Sequence, residues 1–269
     1  AFTKSGANDP ASEVANALSP AEFHYQAPFF ASITSDGKIE FPEYTLETWE
    51  KEAMYAHEAG LDYFSYLWYD TDSTMSRARK LHLQSKNKDM IQMAGILQNI
   101  QSTQTMSELF EAMKDSCWLR VSGRPVLFLY AVNDTNWTAE QVAYVRRMAY
   151  RSGIGESLYI IGMNTDYNDF DAKIYDRDMD AVSMYSYASI IQGEPYSYYT
   201  SRLESLTDAI VNATTSEEHD HQFVPIFSLG RDGRPRIKTS VSWIEGDPNA
   251  ELDKDKPYGN KYTLEADME

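Results

Sequence analysis

The sequence predicts an α/β protein of the (β/α)8 TIM-type barrel class, and three observations predict it. Strand-like and helix-like segments alternate along most of the chain. They recur about every 30 residues, the length of a βα unit, which favours parallel pairing. No glycine-rich turn of the G-x-G-x-x-G or G-x-x-x-x-G-K-[ST] type follows a strand, as a doubly wound nucleotide fold would require.

In chain order, residues 45–60 read as a helix. Leu46, Trp49, Ala53 and Ala56 share a face, and Gly60 stands where a C-terminal cap belongs. Residues 62–69 (DYFSYLWY) read as a buried strand, and further strands are predicted at 90–97, 124–131, 157–164, 180–187 and 223–229. Helices are predicted at 105–118, 138–152 and 195–214. Thr105 with Glu108, and Thr138 with Gln141, fit a capping box, and Gly153 closes the helix that Thr138 opens. The chain reads as one domain over residues 1–269, in which 231–269, rich in Gly, Pro, Asp, Lys and Asn, form a long loop region on the rim.

Composition narrows the function. The 269 residues carry a net charge of −17, which repels phosphate backbones and anionic membranes, so no nucleic-acid partner is expected. No apolar run reaches the roughly 20 residues of a membrane span. There is one cysteine, Cys117, placed in a helical segment over Met113–Leu119 and read as a buried, inert thiol. Nineteen tyrosines are the anomaly: rings with a polar handle suit sugar surfaces, and they also suit an ordinary core.

In a barrel of this class the active site lies at the C-terminal strand ends. Those ends supply the expected substrate-binding residues Trp68, Tyr69, Asp70, Gln98, Asn99, Tyr130, Asn164, Tyr185, Tyr187, Arg231, Asp232 and Arg236. Asp72, Asn133, Asp134, Asp166 and Ser186 lie beside them. Amides and carboxylates pair with sugar hydroxyls, and Trp or Tyr faces stack on the ring, so the expected partner is an oligosaccharide or polysaccharide. Residues 231–236 (RDGRPR) are dense in charge for an acidic chain. Asp232 is read as a sugar-hydroxyl acceptor held by an arginine and as a candidate catalytic residue; a plain Asp-Gly turn stiffened by Pro235 is the alternative. Residues 217–221 (EEHDH) hold possible ligands but fall on the opposite barrel face without a distant partner, so no metal and no cofactor are expected. His24, His57 and His82 read as structural.

Three segments carry a family resemblance. Glu52-Ala53, then Ala56 through Phe64 to Trp68-Tyr69, resembles the A-x-x-A-G-I-D-x-F-x-x-x-W-Y segment of the WbsX-like domain, which belongs with the glycoside hydrolase family 99 type of (β/α)8 barrel. Arg124-Pro125 to Tyr130 is similar to that family's R-P-x-x-x-x-Y strand, and Pro225 through Asp232 to Arg236 to its P-x-x-x-x-G-x-D-x-x-P-R stretch, with Arg231 in place of the usual aromatic. The resemblance implies cleavage of a glycosidic bond, with α-mannoside-type substrates as precedent. Its alternatives are a barrel that binds carbohydrate without catalysis, or glycosyl transfer in surface-polysaccharide metabolism. The family's Trp-Asn-Glu-x-x-Glu-Gly motif, whose glutamates are the expected acid and base, has only a partial echo at Trp243-Ile244-Glu245-Gly246. The chain therefore reads as an internal fragment of a bacterial, extracellular or cell-surface protein, with a barrel incomplete at both ends. Its catalytic carboxylates would lie beyond Glu269, so the fragment is expected not to hydrolyse glycans itself.

Overall fold

The computed structural model describes residues 10–154, 157–165, 170–186, 196–215, 221–227 and 234–241. The chain opens with α1 (Pro10–Leu18) and a short hairpin of β1 (Ser32–Ile33) and β2 (Ile39–Glu40). Val14, Leu18, Phe23, Ile39 and Phe41 give this region its own small core. Then come α2 (Leu46–Glu58), β3 (Tyr63–Leu67), α3 (Arg77–Gln84), β4 (Gln92–Leu97) and α4 (Thr103–Ala112). A hairpin of β5 (Arg120–Val121) and β6 (Arg124–Leu129) follows, with α5 (Ala139–Arg151), β7 (Tyr159–Asn164) and β8 (Ala181–Met184). The last elements are α6 (Tyr196–Thr214), β9 (Gln222–Val224) and α7 (Pro235–Lys238).

Strands β3, β4, β6, β7, β8 and β9 pair side by side in that order, each parallel to its neighbour. Spatial order follows chain order without reversal, so this is the wall of a (β/α) barrel and not a doubly wound sheet. Five of the six predicted strands contain one of these six; the last, predicted at 223–229, overlaps β9, which runs from Gln222 to Val224.

Alternation along the strands separates two cores. Ala94, Ile96, Val126, Phe128, Tyr159, Ile161, Met163 and Ala181 cluster on the inner face. Met93, Leu97, Leu127, Leu129, Ile160, Val182 and Met184 turn outward, where they meet Met106, Leu109 and Phe110 of α4, Val142 and Val145 of α5, and Leu206 and Ile210 of α6. The outer layer is close-packed at Gly162: a Cβ there would come within 2.6 Å of Met179 Sδ and 2.8 Å of the Tyr175 ring.

Local signals hold with some shifts. Thr45 caps α2, accepting from Thr48 N–H at 3.2 Å, and Gly60 adopts φ +81° after the helix, a conformation that favours glycine. The Thr138–Gln141 capping box is formed in both directions. The box predicted at Thr105 is not the start of α4: Ser102 is the cap and accepts from Thr105 N–H at 3.3 Å. Cys117 is buried but lies in turns after α4, because that helix stops at Ala112. Of the acidic and histidine-bearing run near 217–221, only His221 lies within the described residues, and its Nε2 stands 2.8 Å from Asp176 Oδ1. No helix among the described residues is long and apolar enough to cross a membrane.

Candidate functional site

The inner-face alternation runs past the strand ends. It carries Tyr69 after β3, Gln98 after β4, Tyr130 after β6 and Tyr185 after β8 to the C-terminal rim. Backbone hydrogen bonds extend the ladders that far: Tyr130 N–H donates to Leu97 O and Tyr185 N–H to Asn164 O, both at 2.8 Å. The Tyr130 and Tyr185 rings meet edge to face, with centroids 4.7 Å apart. Burial pushes the Tyr69 and Tyr185 phenols above the ordinary range, and the neighbouring Tyr130 adds to the shift in both. Tyr69 and Tyr185 therefore stay neutral hydroxyls, able to donate and to accept.

The turn behind Tyr130 is built to hold it. Trp137 Nε1 donates to Tyr130 O at 2.9 Å and Asn136 Nδ2 donates to the same oxygen at 3.2 Å. Ala131, the next residue, sits at φ +55°, a left-handed conformation that costs a non-glycine residue about 1 kcal/mol or more. Asn133 is drawn into this turn, its Oδ1 accepting from the N–H groups of Thr135 and Asn136 at 2.9 Å each.

The other expected residues divide. Trp68 does not reach the rim. It follows Phe64 and Tyr66 on the outer face, is 1% exposed, and donates from Nε1 to Thr105 O at 3.3 Å. The Arg79 guanidinium covers its ring at 4.1 Å, and Trp118 packs against it. Asn164 likewise continues the outward series of Ile160 and Gly162 and is buried close to Tyr175. Asp70 is exposed at the rim, but its Oδ1 accepts from Thr105 Oγ1 at 2.6 Å and so ties β3 to the start of α4. Asn99 is exposed and accepts from Gln101 Nε2 at 2.5 Å. Arg236 lies half-buried in α7, and Arg234 beside it donates to Tyr25 Oη at 3.1 Å and stands over the Phe23 ring. Tyr187, Arg231, Asp232, Asp166 and Glu245 lie outside the described residues.

A cavity of about 620 Å³ opens beside Tyr69 and Tyr185 and runs along β3 to α2. It brings in three residues that sequence reasoning missed: Tyr44, Glu52 and Tyr66. Glu52 is half-buried, and the Tyr44 hydroxyl donates to its carboxylate. Burial and that carboxylate push the Tyr44 phenol far above the ordinary range. A signal for Glu52 was present. It sits at i+3 from Trp49 and i−4 from Ala56, inside the apolar stripe of α2, where a solvated carboxylate does not belong.

Tyr66 is fixed by a relay. His82 Nε2 lies 3.0 Å from both Lys88 O and Ile91 O, so that nitrogen carries the proton and Nδ1 is the acceptor. Tyr66 Oη therefore donates to His82 Nδ1 at 3.1 Å and accepts from Trp49 Nε1 at 3.1 Å. Burial lowers the His82 pKa below the ordinary histidine value, consistent with this neutral tautomer.

Comparisons place the chain. A solved "glycoside hydrolase-like protein" superposes with a TM-score of 0.58 at 15% identity, covering 83% of this chain and 73% of that one. Two structures of the GH99 endo-alpha-mannosidase from Bacteroides thetaiotaomicron give TM-scores of 0.48 at 17% and 18% identity, covering 76% and 77% of this chain. The chain spans 63% and 60% of those two. No curated protein matches. The first of these likenesses supports the barrel fold and nothing narrower. The family model described as "Glycosyltransferase WbsX" matches residues 82–240, from within α3 through Tyr130 and Tyr185 to α7 and more than half of the sequence, so the chain belongs to the WbsX family.

Proposed function

We propose that this protein acts on glycans and holds an oligosaccharide at the C-terminal rim of its barrel. The observation that carries the reading is the cluster of Tyr69, Tyr130 and Tyr185 on one rim, in a chain of a glycan-related family. Each residue offers a ring for a sugar and a hydroxyl for its alcohols. Gln98, half-buried after β4, adds an amide that both donates and accepts. The rim is rigid where it matters, since the Tyr130 carbonyl is pinned twice from behind.

The reaction class we favour is glycosidic-bond hydrolysis of α-mannoside-type substrates. The mechanism divides labour. Rim tyrosines bind and orient the sugar, and a pair of carboxylates roughly 5–9 Å apart protonates the leaving oxygen and attacks or activates water at the anomeric carbon. Asp232 remains our candidate for one polar contact to the substrate, and Tyr187, Arg231 and Arg236 remain candidates with it. Glycosyl transfer is the second reading, favoured by the description of the matching family. We also propose a location at the cell surface or outside the cell, where polymeric glycans are met.

The test is to titrate α-mannan oligosaccharides into the protein by calorimetry and to measure reducing ends over time, with sugar nucleotides as the donor arm. Binding that weakens on Tyr69→Ala and Tyr185→Ala supports the site. Failure to bind any neutral glycan, or binding indifferent to both changes, overturns it.

A further inference from the structure

The three rim tyrosines are not held alike. Tyr130 and Tyr185 hang on ladder hydrogen bonds to the neighbouring strands. Tyr69 does not. The last ladder bond of β3 runs from Trp68 N–H to Ile96 O at 2.8 Å, and the Tyr69 N–H turns back to Leu67 O at 3.2 Å. The backbone at Tyr69 is fixed through its carbonyl instead, which accepts from Arg79 Nη2 at 3.1 Å and from Ser76 Oγ at 3.2 Å. Ser76 comes from the turn before α3, and Arg79 from the first turn of that helix.

Arg79 is a costly residue for a packing role. It is 3% exposed, and its buried Nε has no hydrogen-bond partner among the described residues. The nearest carboxylate oxygen, on the partly exposed Glu108, stands 3.6 Å away, too far for a hydrogen bond. Burial draws the Arg79 pKa below the ordinary guanidinium value, although Glu108 opposes the shift. An apolar side chain laid over Trp68 would avoid both the unmade bond and the desolvated charge. It could not donate to the Tyr69 carbonyl.

We infer that Arg79 is a positioning residue for the glycan site: its guanidinium holds the Tyr69 carbonyl from behind and so sets the angle at which the Tyr69 ring meets the sugar. Arg79 itself touches no substrate. The Trp68 ring supports the guanidinium at 4.1 Å, and Ser76 shares the carbonyl with it. The inference rests on the glycan reading above and adds to that site a residue that acts from outside it.

The experiment is a double-mutant cycle read by calorimetry with α-mannan oligosaccharides: Arg79→Met, Tyr69→Ala and the two together, each with a urea unfolding curve. Arg79→Met should weaken binding about two- to fivefold, part of what an aromatic contact supplies. Its urea stability should hold or rise, because the Tyr69 carbonyl keeps Ser76 and Glu108 is open to water. In the Tyr69→Ala background the same change should leave affinity as it is, which a merely structural role would not produce. Arg79→Lys is the second variant, and decides alone if the methionine variant does not fold. It keeps a cation near Glu108 but lacks the planar fork that covers Trp68 and reaches the carbonyl together, so it should show the same loss and the same dependence on Tyr69. Trp68→Phe, which leaves a ring face under the guanidinium, should not reproduce that loss. Affinity unchanged by both Arg79 variants while Tyr69→Ala weakens binding, a loss that persists in the Tyr69→Ala background, or failure of both variants to fold overturns this inference and leaves the glycan reading standing. Oligosaccharides that do not bind the unaltered protein, or that bind indifferently to Tyr69→Ala and Tyr185→Ala, sink the glycan reading and this inference with it.

Discussion

Trp68 and Tyr69 are neighbours in sequence and lie in different worlds. Trp68 points outward, is sealed by Arg79 and Trp118, and belongs to the layer between sheet and helices. Tyr69 points inward, to the rim cavity that Tyr185 also lines. The same division separates Asn164 from Tyr130 and Tyr185. A single residue of parity decides whether an aromatic or polar side chain at a strand end stabilises the barrel or faces a ligand.

The comparison breaks most visibly in the outer layer. Trp118 is fully buried, donates to Val126 O at 2.9 Å and packs on Trp68. Trp118→Ala should cost about 3–5 kcal/mol in urea unfolding, with one buried acceptor also left unpaired. Gly162→Ala comes next. Its methyl would collide with Met179 and Tyr175, so a loss of about 1–3 kcal/mol is expected by the same measurement. The inner side answers differently. Tyr185 is 43% exposed, so Tyr185→Ala should leave stability within roughly 0.5 kcal/mol, as surface changes do. It should instead weaken glycan binding about two- to tenfold, the value of a lost aromatic contact.

Two titrations sharpen the outer layer's role at smaller scale. Burial holds His82 below the ordinary histidine pKa of 6.5, so the unfolded chain takes up the proton more readily than the folded one. Stability from this group is full above about pH 6.5 and falls as pH drops toward the folded value; stability curves that stay flat from about pH 7.5 to 5 would contradict the assignment. Cys117 is the least dramatic case. Burial, with Asp115 beside it, pushes its thiol up to about 12. Iodoacetamide at about pH 8 should leave the native protein unlabelled and label it once unfolded.

Much of the architecture was legible because it is local. Strand runs, the Thr138 box and the Gly60 cap each depend on a few adjacent residues, and each stands where the sequence puts it. The start of α4 was misplaced because Ser102 and Thr105 are both hydroxyl residues one turn apart, and only the fold shows that Thr105 turns to Asp70 instead. The site was half legible. Tyr69, Gln98, Tyr130 and Tyr185 follow from strand ends, whereas Trp68 and Asn164 needed the parity of a strand whose inner face the sequence does not mark. Glu52 was missed for a different reason: it comes from a helix, and its pairing with Tyr44 depends on how the segment before α2 folds back onto that helix, a tertiary fact.

The most direct test of the parity account is to measure stability and glycan affinity together for Trp68→Phe and Tyr69→Ala. The account predicts a crossed result. Trp68→Phe should lower urea stability, through the lost Thr105 hydrogen bond and a poorer fit beneath Arg79, and leave glycan affinity as it was. Tyr69→Ala should lower glycan affinity and leave stability nearly unchanged. If Trp68→Phe abolishes glycan binding in a fully folded protein while Tyr69→Ala leaves it intact, the inner rim is not the ligand's surface and the account is wrong.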